Sequence, residues 1–470
     1  MKNNWETYRL GDVTKWYSGG TPKKSESSYW GGSIPWISAS SMDGHLYRDS
    51  KLKITEEGLK NGSRLAPANS VLLLVRGSIL HQKIQVGLTT KEVAFNQDVK
   101  CLVPKEEFLD SWYLLLWFKA KERELLNLVE STGIGAGKFD TKLLSEYPIE
   151  IPPKHELAAI KKFGKALFDK SSNLVSTNQI LEQMAQALFK SWFVDFDPVV
   201  DNALAAGNPI PDELGHRVEV RKKAHALPDF QPLPEDIRSL FPSEFEQTGE
   251  VTFGIGGWIP KGWEYKKFKE VIDKYIDNRG KTPPLSREGY PLVEVKNLPA
   301  NGNFPLTNSE KRVDEKTFRS WFRQYVREKD ILISTVGTIG RSSFVKDVDI
   351  GVAQNVLGLR FEKLATPEFM FYTIKGHKFQ HDVDSRLVIT VQASIKRKDL
   401  NTIDILLPNI SIQNKFSEIV DGYLTAQYCR ALQNQTLEAS RDALLPKLIS
   451  GEIKLQPASK NIQEAELQGV

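Results

Sequence analysis

Cysteine is nearly absent: Cys101 and Cys429 are the only two among 470 residues. Two thiols exclude a disulfide-stapled scaffold and any four-thiolate zinc site. Long apolar runs are missing as well. The most apolar stretch, Trp112 to Phe118, is far shorter than the roughly 20 residues of a membrane-spanning helix. The opening MKNNWETYRLGD has no apolar run of the kind a secretory signal carries. These absences predict a cytoplasmic protein. Charge of one sign is also scarce, since 63 Lys and Arg face 59 Asp and Glu for a net +4. That basic lean is compatible with nucleic acid but common among soluble proteins.

Catalytic signatures are missing too. A methyltransferase acting on base amino groups needs a glycine-rich cofactor loop and an Asn/Asp-Pro-Pro-aromatic tetrapeptide. Asn208-Pro209-Ile210-Pro211 is a turn and not that motif. Gly133-Ile134-Gly135-Ala136-Gly137-Lys138 lacks the Ser or Thr that completes a phosphate loop, because Phe139 follows the lysine. It reads as a loop near DNA phosphates or a plain surface loop. His377 and His381 are spaced to share a helix face, but no Glu, Asp or Cys cluster accompanies them. No GxSxG elbow and no framed carboxylate pair is present. No catalytic residue, resident cofactor or metal is expected on this chain.

What the chain does contain is a long heptad pattern. In Glu156–Phe196, Ile160, Leu167, Leu174, Leu181 and Leu188 recur every seven residues, Leu157, Phe163 and Met184 widen the stripe, and no proline interrupts. This predicts one amphipathic helix of about 60 Å with a coiled-coil seam. Pro152 and Pro153 stand just before it, where proline costs a helix least. Before it, residues 5–130 alternate short apolar runs with turns and read as a mixed α+β domain, with a helix over Phe108–Leu128. After it, eight prolines between Pro198 and Pro260 break up any long element, and the stretch reads as an ordered-to-loose connector with one short helix.

From Trp258 the chain repeats itself. Phe268-Lys269-Glu270-Val271 matches Leu10-Gly11-Asp12-Val13 at an offset of 258, and Thr335–Ile339 matches Val75–Ile79 at 260. Gln354-Asn355 falls opposite Asn96-Gln97 at 258, Leu407-Pro408 opposite Ile151-Pro152 at 256, and Asn434–Glu438 opposite Asn178–Glu182 at 256. Such constant offsets mark an internal duplication. A second long helix follows over Ile412–Leu448, with Phe416, Tyr423, Leu437 and Leu444 in the places of Ile160, Leu167, Leu181 and Leu188, and Arg430 in that of Leu174. The helices are expected to pair antiparallel about a pseudo-twofold axis, least regularly at Arg430.

Residues suited to binding DNA lie in or beside predicted loops: Arg76, Lys83 and Lys138 in the first half, Arg341, Arg386, Lys396, Arg397 and Lys398 in the second. Asn96, Gln97, Gln354, Asn355 and Gln392 are near them. Arg and Lys contact phosphates or guanine edges, and Asn and Gln read adenine bidentately. For Asn96-Gln97 and Gln354-Asn355, capping or internal hydrogen bonding stands as an equal alternative.

Several motifs together resemble one family. Tyr8–Val13, Ser18-Gly19-Gly20-Thr21-Pro22, Tyr29-Trp30-Gly31-Gly32 and Ile34-Pro35-Trp36-Ile37 look like the opening of a target recognition domain. Ile149–Pro153 with Glu156 resembles the entry to its spacer helix, and Ala187–Phe196 the exit. Gly257–Trp263 and Leu445–Ile453 resemble the start of a second unit and the close of its spacer. In order and spacing they resemble, over essentially the whole chain, the specificity subunit of type I restriction–modification systems.

The resemblance implies an α+β chain of six parts: a first target recognition domain (1–152), a spacer helix (153–197), a connector (198–257), a second recognition domain (258–408), a second spacer helix (409–451) and a tail (452–470). It implies a non-catalytic protein that reads a bipartite, asymmetric DNA site and seats two modification (methyltransferase) subunits and restriction/translocase subunits. Adenine-N6 methylation, endonuclease activity, S-adenosylmethionine, ATP and Mg²⁺ would belong to those partners. Two departures stand out: Asn278–Pro283 replaces the Gly-Gly-Thr-Pro turn in the second unit, and Leu157 follows Glu156 where glutamine is more usual. The half-sites should therefore differ. The alternative is a scaffold that holds two protein partners without reading DNA.

Overall fold

A computed structural model describes residues 4–132, 135–278, 282–388 and 392–455. Gly133-Ile134 of the glycine loop, residues 279–281 of the variant turn and residues 456–470 of the tail lie outside the described residues. The chain divides into two compact units, Met1–Leu174 with Gln433–Val470 and Val175–Leu432.

In the first unit a five-stranded sheet runs in the order Thr14–Ser18, Val99–Pro104, Val71–Leu74, Val86–Thr89, Leu46–Tyr47. Every residue of Val71–Leu74 is buried, as a continuous apolar run in a central strand requires. A second sheet orders Lys53–Ile54, Trp30–Ile37, Val93–Phe95 and Arg64–Ala66, with Trp30–Ile37 parallel to Val93–Phe95. The Gly19-Gly20 turn lies against it: a Cβ on Gly19 would sit 2.1 Å from the Phe95 carbonyl oxygen, so only glycine fits. The predicted Phe108–Leu128 helix forms as two pieces, Ser111–Ala120 and Glu122–Leu126. Asp110 caps the first by accepting from the Tyr113 amide, and Tyr113 through Phe118 are all buried.

Glu6–Arg9 pairs antiparallel with Pro148–Ile151, closing the globular part where the first long helix, Lys154–Phe189, begins. The second unit repeats this closure with Glu264–Lys267 against Asp404–Leu407, ahead of the second long helix, Ile410–Ile449. Its main sheet orders Lys274–Ile276, Val356–Arg360, Ile331–Ser334 and Ser342–Phe344.

Within each unit the helix segments pair antiparallel. In the first, Ile160 shares a core with Leu445 and Ile449, the Arg441 guanidinium lies 5.2 Å from the Phe168 ring centre, and Ser171 donates to Asn434 Oδ1 at 2.6 Å. In the second, Asn178 donates to the Gln427 carbonyl at 3.0 Å and Phe189 packs on Phe416 at 5.9 Å. Numbers rise on one helix as they fall on the other. Ser171 and Gln427 are duplication partners, as are Asn178 and Asn434, so both units carry the same polar rung.

The seam differs from its heptad forecast. Ile160, Leu174 and Phe416 are buried, while Leu167, Leu181, Leu188, Tyr423, Leu437 and Leu444 are half-buried. Met184 faces outward, 46% exposed, and does not widen the stripe. Of the positions four residues after each heptad leucine or isoleucine, Gly164, Ala185 and Trp192 are buried, and Ser171 and Asn178 are half-buried. A Cβ on Gly164 would lie 2.4 Å from Leu116 Cδ1, so this glycine lets the helix lie close against Ser111–Ala120. Arg430 folds back to donate to the Ala426 carbonyl of its own helix at 3.0 Å.

The expected ordered-to-loose connector with one short helix is the largest correction, because it is more regular than that. After a π-turn over Lys190–Val194 come helices Asp197–Ala206, Gly215–His225 and Glu235–Arg238, and a strand, Phe245–Gln247. Three of the prolines, Pro198, Pro211 and Pro234, start elements rather than break them. Pro198 lies in a first helical turn and Pro234 caps another helix, positions where proline's fixed φ is preorganised. Val199, Val200, Leu214, Ile237 and Phe241 join the second unit's core. Asp201 accepts from Arg221 and lies 3.0 Å from His225 Nε2, tying two of the helices.

A polar cluster fastens the first long helix to the second recognition domain. Glu182 accepts from Tyr372 at 2.9 Å and from Lys375 and Asn303, and Asn303 also donates to Gln427 Oε1 at 2.6 Å. Burial pushes the Glu182 carboxyl up, but Lys375 with the surrounding donors outweighs it and holds the group below its ordinary value.

Candidate nucleic-acid interface

In the first unit the strand Gly137–Phe139 lies between Val129–Ser131 and Arg76–Gly77, and its register sets Lys138 opposite Arg76. Two cations directly across a ladder repel one another. Glu130, opposite Lys138 on the other side, offsets part of that repulsion. Lys83 follows a short 3₁₀ turn whose His81 ring contacts the Gly135 carbonyl at 3.2 Å, which joins this turn to the glycine loop. Arg76, Lys83 and Lys138 are exposed. Among the described residues their side chains have no ion pair or hydrogen bond.

The second unit keeps this backbone and changes its charge. Val336 bridges to Ser394, the equivalents of Arg76 and Lys138, so the basic pair is not repeated. Positive charge sits one turn further on, where Lys396 precedes the short helix Arg397–Leu400. Lys396 and Lys398 are exposed, as is Gln392 just before them. Three further candidates are engaged within the unit. Arg397 pairs with Asp277 at 3.4 Å and lies 5.0 Å from the Tyr275 ring centre. Arg341 donates to the Leu298 carbonyl at 3.3 Å. Arg386 donates to the Asp382 carbonyl at 2.7 Å and to Thr402 Oγ1 at 3.2 Å, so its guanidinium is spent closing a helix end.

The amide residues divide in the same way. Asn96 is buried and exchanges hydrogen bonds with Asp98, the internal role left open above. Gln97 is exposed and accepts from Thr21 at 2.7 Å. Gln354 and Asn355 are exposed. The strand registers also correct the alignment of these residues. Phe95 pairs with Ile37 and Val352 with Val293, an offset of 257, so Gln97 matches Gln354 and Asp98 matches Asn355. The 258 offset aligned similar residue types, whereas the ladder aligns positions.

Among the described residues no group of three or more His, Cys, Asp or Glu could hold a metal ion, and no helix is long and apolar enough to cross a membrane.

Two globular folds of the same plan, each leading into a long helix, with loops that differ in charge at matching places, describe a duplicated recognition protein. The family model of the type I restriction modification DNA specificity domain matches twice, over residues 2–188 and 260–438. The chain therefore belongs to the type I restriction–modification DNA specificity family. It is 24% identical over 97% of its length to the type I restriction enzyme MjaIX specificity subunit of Methanocaldococcus jannaschii, covering 95% of that protein. It is 25% identical to the HindI specificity subunit of Haemophilus influenzae, with 82% of this chain and 89% of that one covered. The crystal structure of the S subunit from M. genitalium shares the fold with a TM-score of 0.52 at 14% identity, covering 95% of this chain and 96% of that one.

Proposed function

We propose that this specificity subunit reads a bipartite, asymmetric DNA site, one half with the domain of residues 1–152 and the other with that of 258–408, and is not itself catalytic. The carrying observation is the repeated scaffold with unlike loops: Arg76 and Lys138 in one domain stand where Val336 and Ser394 stand in the other. A pure scaffold for two copies of one partner has no need of that difference. Arg76, Lys83 and Lys138 are assigned to phosphates of the first half-site, with Lys396 and Lys398 assigned to those of the second. Arg341, Arg386, Gln392 and Arg397 shape the second surface. Two modification subunits sit on the paired helices and bring S-adenosylmethionine for adenine-N6 methylation, and restriction subunits bring ATP and Mg²⁺. The assembly works in the cytoplasm, where its DNA is.

Titration of the chain with its methyltransferase subunits against duplexes carrying the full site, either half-site or neither tests this. The full site should bind far more tightly than the rest, and equal affinity for all four duplexes would refute it.

The double variant Arg76→Ala/Lys138→Ala should weaken binding evenly across sequences. It should also lower the slope of log K against log salt by about 2, since each phosphate contact contributes about 0.9. Binding measured from about 50 to 200 mM salt checks this, and an unchanged slope would remove both residues from the interface.

A further inference from the structure

In the second unit a cleft of about 260 Å³ opens between Thr282-Pro283, Glu294–Lys296 and Gln354-Asn355. Glu294 Oε1 accepts from Lys311 at 2.7 Å, while Oε2 stands 3.9 Å from Lys296 Nζ. The Gln354 and Asn355 side chains make no hydrogen bond among the described residues and are exposed at the rim.

The first unit has the same backbone there with different side chains. Asn96 N–H donates to the Ile37 carbonyl as Ala353 N–H donates to that of Val293, both at 3.0 Å. The adjoining 3₁₀ turns close alike, Ser41 N–H to the Ser38 carbonyl and Asn297 N–H to that of Glu294, both at 2.9 Å. These bonds equate Ser38 with Glu294, Ser40 with Lys296, Gln97 with Gln354 and Asp98 with Asn355. The buried frame keeps its character, Ile37 against Val293 and Met42 against Leu298, and Gln97 recurs as Gln354, while Ser38, Ser40 and Asp98 give way to Glu294, Lys296 and Asn355. In the first unit Trp36 stands where Leu292 stands, its indole donates to the Gly20 carbonyl at 3.1 Å, and Thr21 holds Gln97 at 2.7 Å.

We propose that the cleft reads a base edge, with Gln354, Asn355 and Glu294 as specificity-determining residues of the second domain. Its ligand is a major-groove edge bearing an exocyclic amino group. The amides suit adenine, donating to N7 and accepting from N6, and Glu294 accepts from adenine N6 or cytosine N4. Phosphate contacts lie alongside. Thr335 N–H donates to the Asn355 carbonyl and Ile395 N–H to that of Thr335, both at 3.0 Å, which brings Lys396 to the same edge. The assignment rests on the DNA-reading function proposed above.

The test uses the full chain with its methyltransferase subunits and duplexes randomised across the second half-site. Gln354→Ala and Glu294→Gln should each relax the preference at one or two base pairs of that half-site by roughly 5- to 150-fold, the range of one bidentate contact. The first half-site and the salt slope should stay as they were. Preferences retained within about threefold at every position, or losses shared by both half-sites or by all sequences alike, would overturn the assignment. A wild-type complex with no preference anywhere would instead refute the DNA-reading function and the cleft with it, an outcome distinct from variants that match a selective wild type.

Discussion

Replacing Asp330 with alanine is expected to destabilise the second unit by about 3–5 kcal/mol, the cost of leaving a buried charge without its partner. Asp330 precedes the central strand Ile331–Ser334, and Arg360 ends the neighbouring strand Val356–Arg360. Their pairing is bidentate, Nε to Oδ1 at 2.8 Å and Nη2 to Oδ2 at 2.7 Å, with only 2% and 6% of the Asp330 and Arg360 side chains exposed. Arg327 N–H also donates to Asp330 Oδ2 at 2.6 Å. The strand registers place Ser70 and Val103 of the first unit at the equivalent positions, so the fold itself does not demand an ion pair there. The first unit should then be unaffected. By calorimetry the second unit's transition should fall by roughly 6–20 °C, at about 2–4 °C per kcal/mol for a domain of this size. A loss under about 1 kcal/mol, or equal shifts in both transitions, would contradict the assignment. The double variant Asp330→Leu/Arg360→Leu should recover much of the loss, because an apolar pair of similar volume is often neutral in such a place.

Moving the two half-sites one base pair apart should lower affinity by roughly a thousandfold. Each added pair shifts one half-site by about 3.4 Å and rotates it by about 34–36°. A domain that loses its register forfeits several base contacts worth about 1–3 kcal/mol each. The resistance to slipping comes from the polar rungs. Seven residues separate Ser171 from Asn178 and seven separate Gln427 from Asn434, matching the two hydrogen bonds at 2.6 and 3.0 Å. Sliding one helix past the other would strand these groups at about 1–3 kcal/mol each. Seven residues inserted in both helices, after Leu174 and after Leu432, add about 10.5 Å. The preferred gap should then lengthen by about three base pairs. The same insertion in the first helix alone breaks the register of the rungs and should reduce affinity at every gap length. Competition binding with a series of gaps distinguishes these outcomes, and a preferred gap unchanged by the double insertion would refute the proposal that the paired helices set the distance between the half-sites.

The duplication and both long helices were legible in the sequence because they rest on periodicity, which survives when individual residues vary. Antiparallel helix direction was expected, but what holds it was not legible. The side chains that secure it, Ser171, Asn178, Gln427 and Asn434, fall outside any apolar template. Met184 was misplaced for a related reason: apolar type alone does not say which face of the helix is covered, and Met184 lies on an exposed one. The proline-rich stretch from Pro198 misled because proline at a helix start and proline within a loop look alike until hydrogen bonds are known. At the candidate interface, basic residues were visible by type, but their availability was not. Arg386 and Lys398 read alike in sequence, yet one closes a helix end on Asp382 while the other is exposed. Glu294 and Lys296 were missed because only strand register equates them with Ser38 and Ser40.

Residues 1–150 exchanged for the corresponding segment of a family member with a different target provide the most direct measurement. The hybrid, assembled with its methyltransferase subunits, would be scored by mapping every methylated adenine on genomic DNA. One half-site should become the donor's, with the other half-site and the gap unchanged. A target altered in both halves, or in neither, would contradict the claim that each repeat reads its own half of the site.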